Sequence, residues 1–260
     1  MSFKILFMGT PKFSVPILKS IYKSNHKVLE VYTQPPKKKN RGQKILSSPI
    51  HLCANELNLP VRSPLSINKD EELDHIKKLK PDIILVVAYG KILPTSLLEF
   101  NNIHFLNVHA SLLPRWRGAA PMQRAIMNRD NETGVSIMKI ESKLDSGPVL
   151  IQSKIKITHN MNCEELSDKM SKLGAKLIIE ALKMIEENKA EFTKQNDADV
   201  TYAEKIQKAE AKIDWNEDAS IIISKINALY PKPGCWFEIN GVRLKILRAK
   251  EVEKKGSPGT

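Results

Sequence analysis

The sequence has few cysteines and no long apolar run. Its three cysteines, Cys53, Cys163 and Cys235, are far apart and lack the spacing of metal ligands, which is typical of a reduced, cytoplasmic protein. No apolar stretch approaches the length that spans a bilayer, and the opening run 1–9 is too short for a signal peptide. We therefore expect no association with a membrane.

The sequence also lacks internal repeats and the G-x-G-x-x-G pattern of a dinucleotide site. Its 260 residues, of which 42% are hydrophobic and 27% charged, suffice for one large domain and a smaller module. The net charge of +12 favours a polyanionic partner such as nucleic acid. Many lysine-rich proteins have no such partner, however, so the distribution of the charge must decide.

Apolar runs with strand character alternate with helical patterns along the first half of the chain. We predict strands over 4–8, 28–33 and 82–87, another ending at His109, and helices near 13–22, 50–57 and 71–79. Such alternation is typical of parallel strands joined by crossover helices, with ligands bound at the carboxyl ends of the strands. The predicted fold class is therefore α/β, a Rossmann-like doubly wound sheet.

Further elements are predicted along the second half of the chain. We expect a helix over 119–128, strands over 134–140 and 149–157, and a long amphipathic helix over 163–188. A polar connector follows, then a short helix over 219–229 and two strand-like runs, 235–239 and 242–247. These runs meet at Asn240-Gly241, a dipeptide typical of a tight β-hairpin.

Three polar residues suggest acyl transfer to an amine. Asn107 and His109 end a buried strand, and because side chains alternate along a strand they point to the same face. An amide N–H stabilises a developing oxyanion, and an imidazole can stabilise the same oxygen or accept a proton from the amine. Asp145, in a loop with Gly147, is the candidate carboxylate that orients the imidazole.

Each of these residues also has an ordinary structural explanation. An Asn-x-His after a strand more often belongs to a turn than to a catalytic site, and Asp-Ser-Gly is a common turn sequence. The adjoining run Ser111-Leu112-Leu113-Pro114 is what favours function.

With that run included, the sequence resembles the formyltransferases that use 10-formyltetrahydrofolate, and within them the methionyl-tRNA formyltransferase family. The resemblance extends over nearly the whole chain, and the run 115–121 is its most specific part. The matching segments are 7–11 with Phe13, 32–35, 87–90, 107–121, 144–147, 203–206, 213–215 and 231–234.

The resemblance implies a reaction and a set of site residues. Formyl passes from 10-formyltetrahydrofolate to the α-amino group of methionyl-initiator tRNA, without a metal, and we expect a monomer. Asn107, His109 and Asp145 match the catalytic residues of the family. The folate-binding residues are expected to be Ala88, Tyr89, Gly90, Ser111, Leu112, Leu113 and Pro114, the first three largely through backbone groups.

The resemblance also predicts the domain limits: a catalytic domain over 1–200, a linker over 201–214, and over 215–260 the start of a small OB-like β-barrel. In the family the chain continues with further strands beyond this point, so we expect an incomplete barrel. Lys12 stands where the family usually carries an acidic residue, and we assign no role to the change.

A basic segment indicates the class of acceptor. Between Val31 and Asn55 there is no acidic residue, and Pro35-Pro36 and Gly42 predict a protruding loop rather than a helix. Its cationic residues, for which we expect contact with tRNA phosphates, are Lys37, Lys38, Lys39, Arg41 and Lys44. Two alternatives remain open. One is a formyltransferase for a small amine, and the other is an RNA-binding protein that keeps the fold without the activity.

Overall fold

A computed structural model describes residues 2–39 and 44–252. The strands are β1 Lys4–Gly9, β2 Lys27–Tyr32, β3 Lys37–Lys39, β4 Lys44–Leu46, β5 Val61–Arg62, β6 Ile83–Val87, β7 His104–His109, β8 Arg117–Gly118, β9 Glu132–Lys139, β10 Val149–Lys156, β11 Tyr202–Ala203, β12 Cys235–Ile239 and β13 Val242–Ile246. The α-helices are α1 Val15–Tyr22, α2 Pro49–Glu56, α3 Asp70–Leu79, α4 Thr95–Leu98, α5 Pro121–Met127, α6 Cys163–Glu186 and α7 Ala219–Leu229. Short 3-10 helices cover Lys12–Ser14, Asp197–Asp199 and Lys208–Ala211.

The main sheet has seven strands in the order β10-β9-β7-β6-β1-β2-β5. Strand β1 pairs in parallel with β2 and β6, β2 with β5, and β6 with β7, whereas β9 runs antiparallel to β7. The chain builds β1, β2 and β5 towards one edge and then returns to add β6 on the other side of β1. This reversal is the topological switch point, where doubly wound folds bind ligands. The predicted α/β fold class is confirmed.

Helices cover both faces of this sheet. On one face α3 and α4 contribute Ile76 and Leu97 to a core cluster that includes Leu6 and Phe105 of the strands. On the other face a Cβ added to Gly174 of α6 would lie 3.1 to 3.3 Å from side chains of β7 and α1. Burial on both faces explains why the strands are continuously apolar rather than alternating.

Local signals explain where several helices begin and end. Ser48 caps the N-terminus of helix α2. Its hydroxyl accepts a hydrogen bond from the backbone N–H of His51, and Pro49 occupies the first turn. Helix α3 has acidic residues in its first turn and basic residues in its last, which complements the helix dipole. Lys80 then closes α3 in the left-handed conformation.

The chain divides into two compact units, each assembled from separated segments. The first comprises 1–109, 135–153 and 171–195, and the second comprises 110–134, 154–170 and 196–260. The second unit has its own apolar cluster, in which Ile222, Ile226 and Leu229 of α7 pack with Cys235. The predicted domain limits at 200 and 215 stay a prediction.

The hairpin prediction in the second unit is confirmed. Strands β12 and β13 pair antiparallel, and Asn240 and Gly241 at the turn have φ angles of 49° and 74°. Positive φ at both central residues is what the favoured two-residue hairpin turn requires.

The structure differs from the sequence predictions mainly in short elements. The two-residue strands β5, β8 and β11 and the four-residue helix α4 were missed, because such lengths give no periodicity. Within the expected basic loop, the described residues Lys37–Lys39 and Lys44–Leu46 pair as antiparallel strands, the β3–β4 hairpin, in a sheet separate from the main one. No helix in 2–39 or 44–252 is long and apolar enough to cross a membrane.

Candidate active site

The carboxyl end of β7 carries two of the predicted catalytic residues. Strand β7 lies between β6 and β9, with Asn107 opposite Val86 and Met138 and with His109 opposite Ser136. His109 is 5% exposed and Asn107 is half-buried. The polar end of an otherwise apolar central strand is thus fixed by backbone pairing on both sides.

Asp145 joins Asn107 and His109 through its carboxylate. The Asn107 amide Nδ2 donates a hydrogen bond to Asp145 Oδ1 at 3.3 Å, and His109 Nδ1 lies 3.6 Å from Asp145 Oδ2. The side chains of His109 and Asp145 are 6% and 16% exposed. The structure therefore brings together the three residues that the sequence singled out, although Asp145 lies far from the other two along the chain.

The loop that carries Asp145 is tightly constrained. Asp145 has a φ of 46°, a left-handed conformation that costs a residue with a side chain about 1 to 3 kcal/mol. Gly147 lies so close to β9 that an added Cβ would stand 2.0 Å from the carbonyl oxygen of Lys139. Only glycine fits at that position without a shift of the backbone.

Gln195 holds this loop from another part of the first unit. Its side-chain Nε2 donates to the carbonyl oxygens of Asp145, at 2.9 Å, and Gly147, at 2.7 Å. Sequence reasoning missed Gln195 because it lies in a polar stretch that was interpreted as a connector. A buried amide in such a stretch is recognisable only from its contacts in the fold.

The expected folate segment Ala88-Tyr89-Gly90 follows β6 at the topological switch point. Ala88 and Gly90 are exposed and have φ angles of 49° and 80°. The Thr10 hydroxyl donates to the Tyr89 carbonyl at 2.8 Å, and Gln34 Nε2 donates to the carbonyls of Tyr89 at 3.2 Å and Gly90 at 3.0 Å. The segment thus has a defined backbone conformation at the carboxyl edge of the parallel strands.

The side chain of Tyr89 belongs to the core rather than to a ligand surface. It is 1% exposed and packs in the cluster with Leu6 and Ile76, and its hydroxyl has no hydrogen-bond partner in the described part of the chain. Burial, reinforced by the charge of Glu72, raises the pKa of Tyr89 to about 12. Only backbone atoms of Tyr89 can therefore meet a ligand.

The second expected folate segment, 111–114, belongs to the second unit. Ser111 and Leu113 are buried there, and Leu112 and Pro114 are half-buried. The Ser111 hydroxyl donates to the carbonyl oxygen of Arg115 at 2.6 Å, which stabilises the turn. The role of these four residues in folate binding stays a prediction.

Asp130 organises the chain just beyond that segment. Its carboxylate accepts two hydrogen bonds from the Arg115 guanidinium, at 2.6 and 3.0 Å, and one from Trp116 Nε1 at 2.7 Å. Burial alone would raise the pKa of Asp130, but bonds from Arg115, Trp116 and Asn128 hold it below its usual value. Trp116 is thus anchored by a carboxylate that the sequence analysis did not single out.

The expected tRNA contacts are described only in part. The backbone of Lys37, Lys38, Lys39 and Lys44 lies in the β3–β4 hairpin, whereas Arg41 falls outside the described residues. A hairpin brings the lysines of its two strands into one short element. In the part of the chain that the structure describes, no group of three or more His, Cys, Asp or Glu side chains could hold a metal ion.

Comparison with known proteins identifies the family. Residues 3–182 match the formyl transferase family, and residues 205–260 match the formyl transferase C-terminal domain. The methionyl-tRNA formyltransferase of Pelagibacter ubique is 51% identical over 100% of this chain and 84% of its own length. That of Parvibaculum lavamentivorans is 46% identical over 98% of this chain and 84% of its own length.

A solved structure supports the fold. HypX from Aquifex aeolicus in complex with tetrahydrofolic acid superposes with a TM-score of 0.74 and 18% sequence identity, over 100% of this chain and 40% of that chain. At this identity the likeness concerns the fold alone.

Proposed function

The chain belongs to the methionyl-tRNA formyltransferase family, and we propose that Asn107, His109 and Asp145 are the residues with which it performs the reaction of that family. The reaction transfers the formyl group of 10-formyltetrahydrofolate to the α-amino group of methionyl-initiator tRNA. Its product is N-formylmethionyl-tRNA for translation initiation. The observation that carries the assignment of residues is the convergence of Asn107 and His109 on the carboxylate of Asp145.

The geometry suits acyl transfer through a tetrahedral intermediate. The amine nitrogen forms a bond to the formyl carbon, and the carbonyl oxygen becomes negative. The bond from that carbon to the folate nitrogen then breaks as the oxyanion returns to a carbonyl, and the folate nitrogen takes up a proton to replace the one that the amine loses. The Asn107 amide carries two N–H bonds, of which one donates to Asp145 and the other can donate to the oxyanion. His109 stabilises the same oxygen or takes the proton that the amine loses.

Asp145 supports His109 in this mechanism. A carboxylate 3.6 Å from Nδ1 is within ion-pair distance of a protonated imidazole and stabilises that cation. The distance is longer than a hydrogen bond, as catalytic contacts often are before substrate binds. Because its side chain is mostly buried, the carboxylate acts in a medium where charges interact more strongly than in water.

The folate co-substrate has a matching site at the switch point. Exposed backbone at Ala88 and Gly90 offers hydrogen-bonding groups to a planar heterocycle such as a pterin. This proposal is supported by the position of the segment at the carboxyl edge of β6, beside the β7 end that carries Asn107.

The mechanism is tested by transfer of labelled formyl to charged initiator tRNA. The variants Asn107→Ala, His109→Ala and Asp145→Asn are each expected to lower kcat by orders of magnitude, since loss of one oxyanion donor alone costs about 2.7 to 4 kcal/mol. Ser20→Ala is the control, because the Ser20 hydroxyl bonds the Ala175 carbonyl between helices α1 and α6. Near-normal rates in all three variants would contradict the proposed roles.

We further propose that the β3–β4 hairpin contacts the tRNA. Neutralising Lys37, Lys38, Lys39 and Arg41 together is expected to raise the KM for tRNA and leave the KM for folate unchanged. The salt dependence of binding would flatten by about 0.7 to 0.9 in log–log slope for each phosphate that the variant no longer neutralises. Unchanged tRNA kinetics would favour a small-amine acceptor instead.

Two remaining expectations complete the proposal. A tRNA acceptor used in translation supports a cytoplasmic location. The monomeric state expected from the sequence is tested by light scattering across a range of protein concentrations, where a mass that rises with concentration would contradict it.

A further inference from the structure

We propose that Gln195 is a positioning residue of the active site, which acts by holding the backbone on which Asp145 is presented. The inference rests on the proposed role of Asp145 and extends it to a residue 50 positions further along the chain. Gln195 itself touches no reacting atom in this mechanism.

The hydrogen bonds define how the amide is oriented. Both partners, the carbonyl oxygens of Asp145 and Gly147, only accept hydrogen bonds, so the Nε2 side of the amide must face them. The two N–H groups of the amide can thus serve two carbonyls two residues apart, one on each side of Ser146. The Gln195 side chain thus bridges the two ends of the segment 145–147, and we call this pair of hydrogen bonds the clamp.

Gln195 is itself held firmly. It is 8% exposed, and two residues before it Thr193 forms a β-bridge with Val149 at the start of β10. The backbone N–H of each bridge residue donates to the carbonyl of the other at 2.8 Å. Because β10 begins two residues after Gly147, this bridge ties the clamp to the strand into which the loop leads.

The loop needs such a clamp at Asp145. The backbone of Asp145 is in a left-handed conformation, which costs energy for a residue other than glycine and is kept because the surroundings hold it. The close approach of Gly147 to Lys139 constrains the backbone two residues further on. The bond from Gln195 to the Asp145 carbonyl acts directly on the residue whose carboxylate lies 3.6 Å from His109.

The test replaces the donors and keeps the shape. Gln195→Met has a similar length and no N–H, and Gln195→Glu presents a carboxylate to the two carbonyls. Displacement of a catalytic group by about 1 Å can cost about 100-fold in rate, so we expect kcat to fall by roughly 10- to 100-fold in both. The KM values for folate and tRNA are expected to change less than about twofold, because substrate binding does not use the clamp.

Ser20→Ala is the matched control, since it also removes a side-chain bond to a backbone carbonyl in the first unit, away from Asp145. Thermal unfolding is measured for every variant. A kcat of Gln195→Met within about twofold of wild type would overturn the proposal. If that variant does not fold, Gln195→Glu is judged by the same criterion.

A double-mutant cycle separates positioning from general weakening of the fold. If Gln195 acts through the Asp145 carboxylate, Gln195→Met lowers kcat strongly in the wild type and little in an Asp145→Asn background. An equal fold-loss in both backgrounds would overturn the proposal. Failure of the proposed function is distinguishable, because the wild-type protein would then transfer no formyl to methionyl-tRNA.

Discussion

Two loops of the first unit are held by the same chemistry and expose different groups. Gln34 donates from Nε2 to the carbonyls of Tyr89 and Gly90, as Gln195 donates to those of Asp145 and Gly147. In the loop after β6, the Tyr89 side chain turns into the core and the backbone faces outward. In the loop after β9, the group that we propose to act is a side chain, the Asp145 carboxylate.

The two glutamines that hold these loops differ in how deeply they are buried. Gln195 is buried, whereas Gln34 is half-buried and shares the Tyr89 carbonyl with Thr10. An unsatisfied buried carbonyl costs about 1 to 3 kcal/mol, but water can replace a donor at an exposed one. The Asp145 loop should therefore tolerate less change than the Tyr89 loop.

The largest effect is expected from Gly147→Ala. The new Cβ would meet the Lys139 carbonyl at 2.0 Å, and backbone cannot move aside as a side chain can. We expect the loop to shift, kcat to fall by more than about 100-fold as Asp145 leaves His109, and the free energy of unfolding to drop by about 1 to 3 kcal/mol. Formyl transfer and thermal denaturation measure the two effects.

Gly174→Ala is the control for this prediction. It adds the same methyl group in the first unit, but on helix α6 and against side-chain carbons of Val108 and Ile17 at 3.1 and 3.3 Å. Alanine favours a helix over glycine by about 1 kcal/mol, which offsets part of the crowding. Equal losses of activity in the two variants would show that crowding of the core, rather than the Asp145 loop, is responsible.

A smaller effect is expected from Gln34→Met, which tests the other loop. Loss of the two bonds to Tyr89 and Gly90, at a half-buried site, should cost about 1 kcal/mol of folate binding. That corresponds to a rise of about fivefold in the KM for folate. The KM for tRNA should not change, and initial rates at varied concentrations of each substrate separate the two.

A kcat that falls in Gln34→Met without any change in the KM for folate would contradict this comparison. The two loops would then both serve the chemical step, and the backbone of Tyr89 and Gly90 would have no separate role in binding the co-substrate.

The sequence predicted the three proposed catalytic residues, but it did not predict the glutamine that holds the Asp145 loop. Strand alternation places Asn107 and His109 on the same face, and the resemblance to the formyltransferases, rather than the Asp-Ser-Gly turn alone, marks Asp145. Gln195 gives no local signal, because its partners lie 50 and 48 residues away and polar residues in a connector are ordinarily solvated. The basic hairpin was interpreted as a loop for a similar reason, since strands of three lysine-rich residues lack an apolar pattern.

The smallest single effect is expected from Thr10→Val, and it tests whether the Tyr89 carbonyl is doubly supported. The substitution keeps the shape but removes the 2.8 Å bond that the hydroxyl donates and the long 3.4 Å bond that it accepts from the Gln34 backbone N–H. The Gln34 side chain still donates to the Tyr89 carbonyl at 3.2 Å. We expect less than about a twofold rise in the KM for folate. Thr10→Val combined with Gln34→Met removes both donors, so the double variant should lose more than the sum of the two free-energy changes. Strict additivity would show instead that each bond acts alone, and that neither donor compensates for the other at the Tyr89 carbonyl.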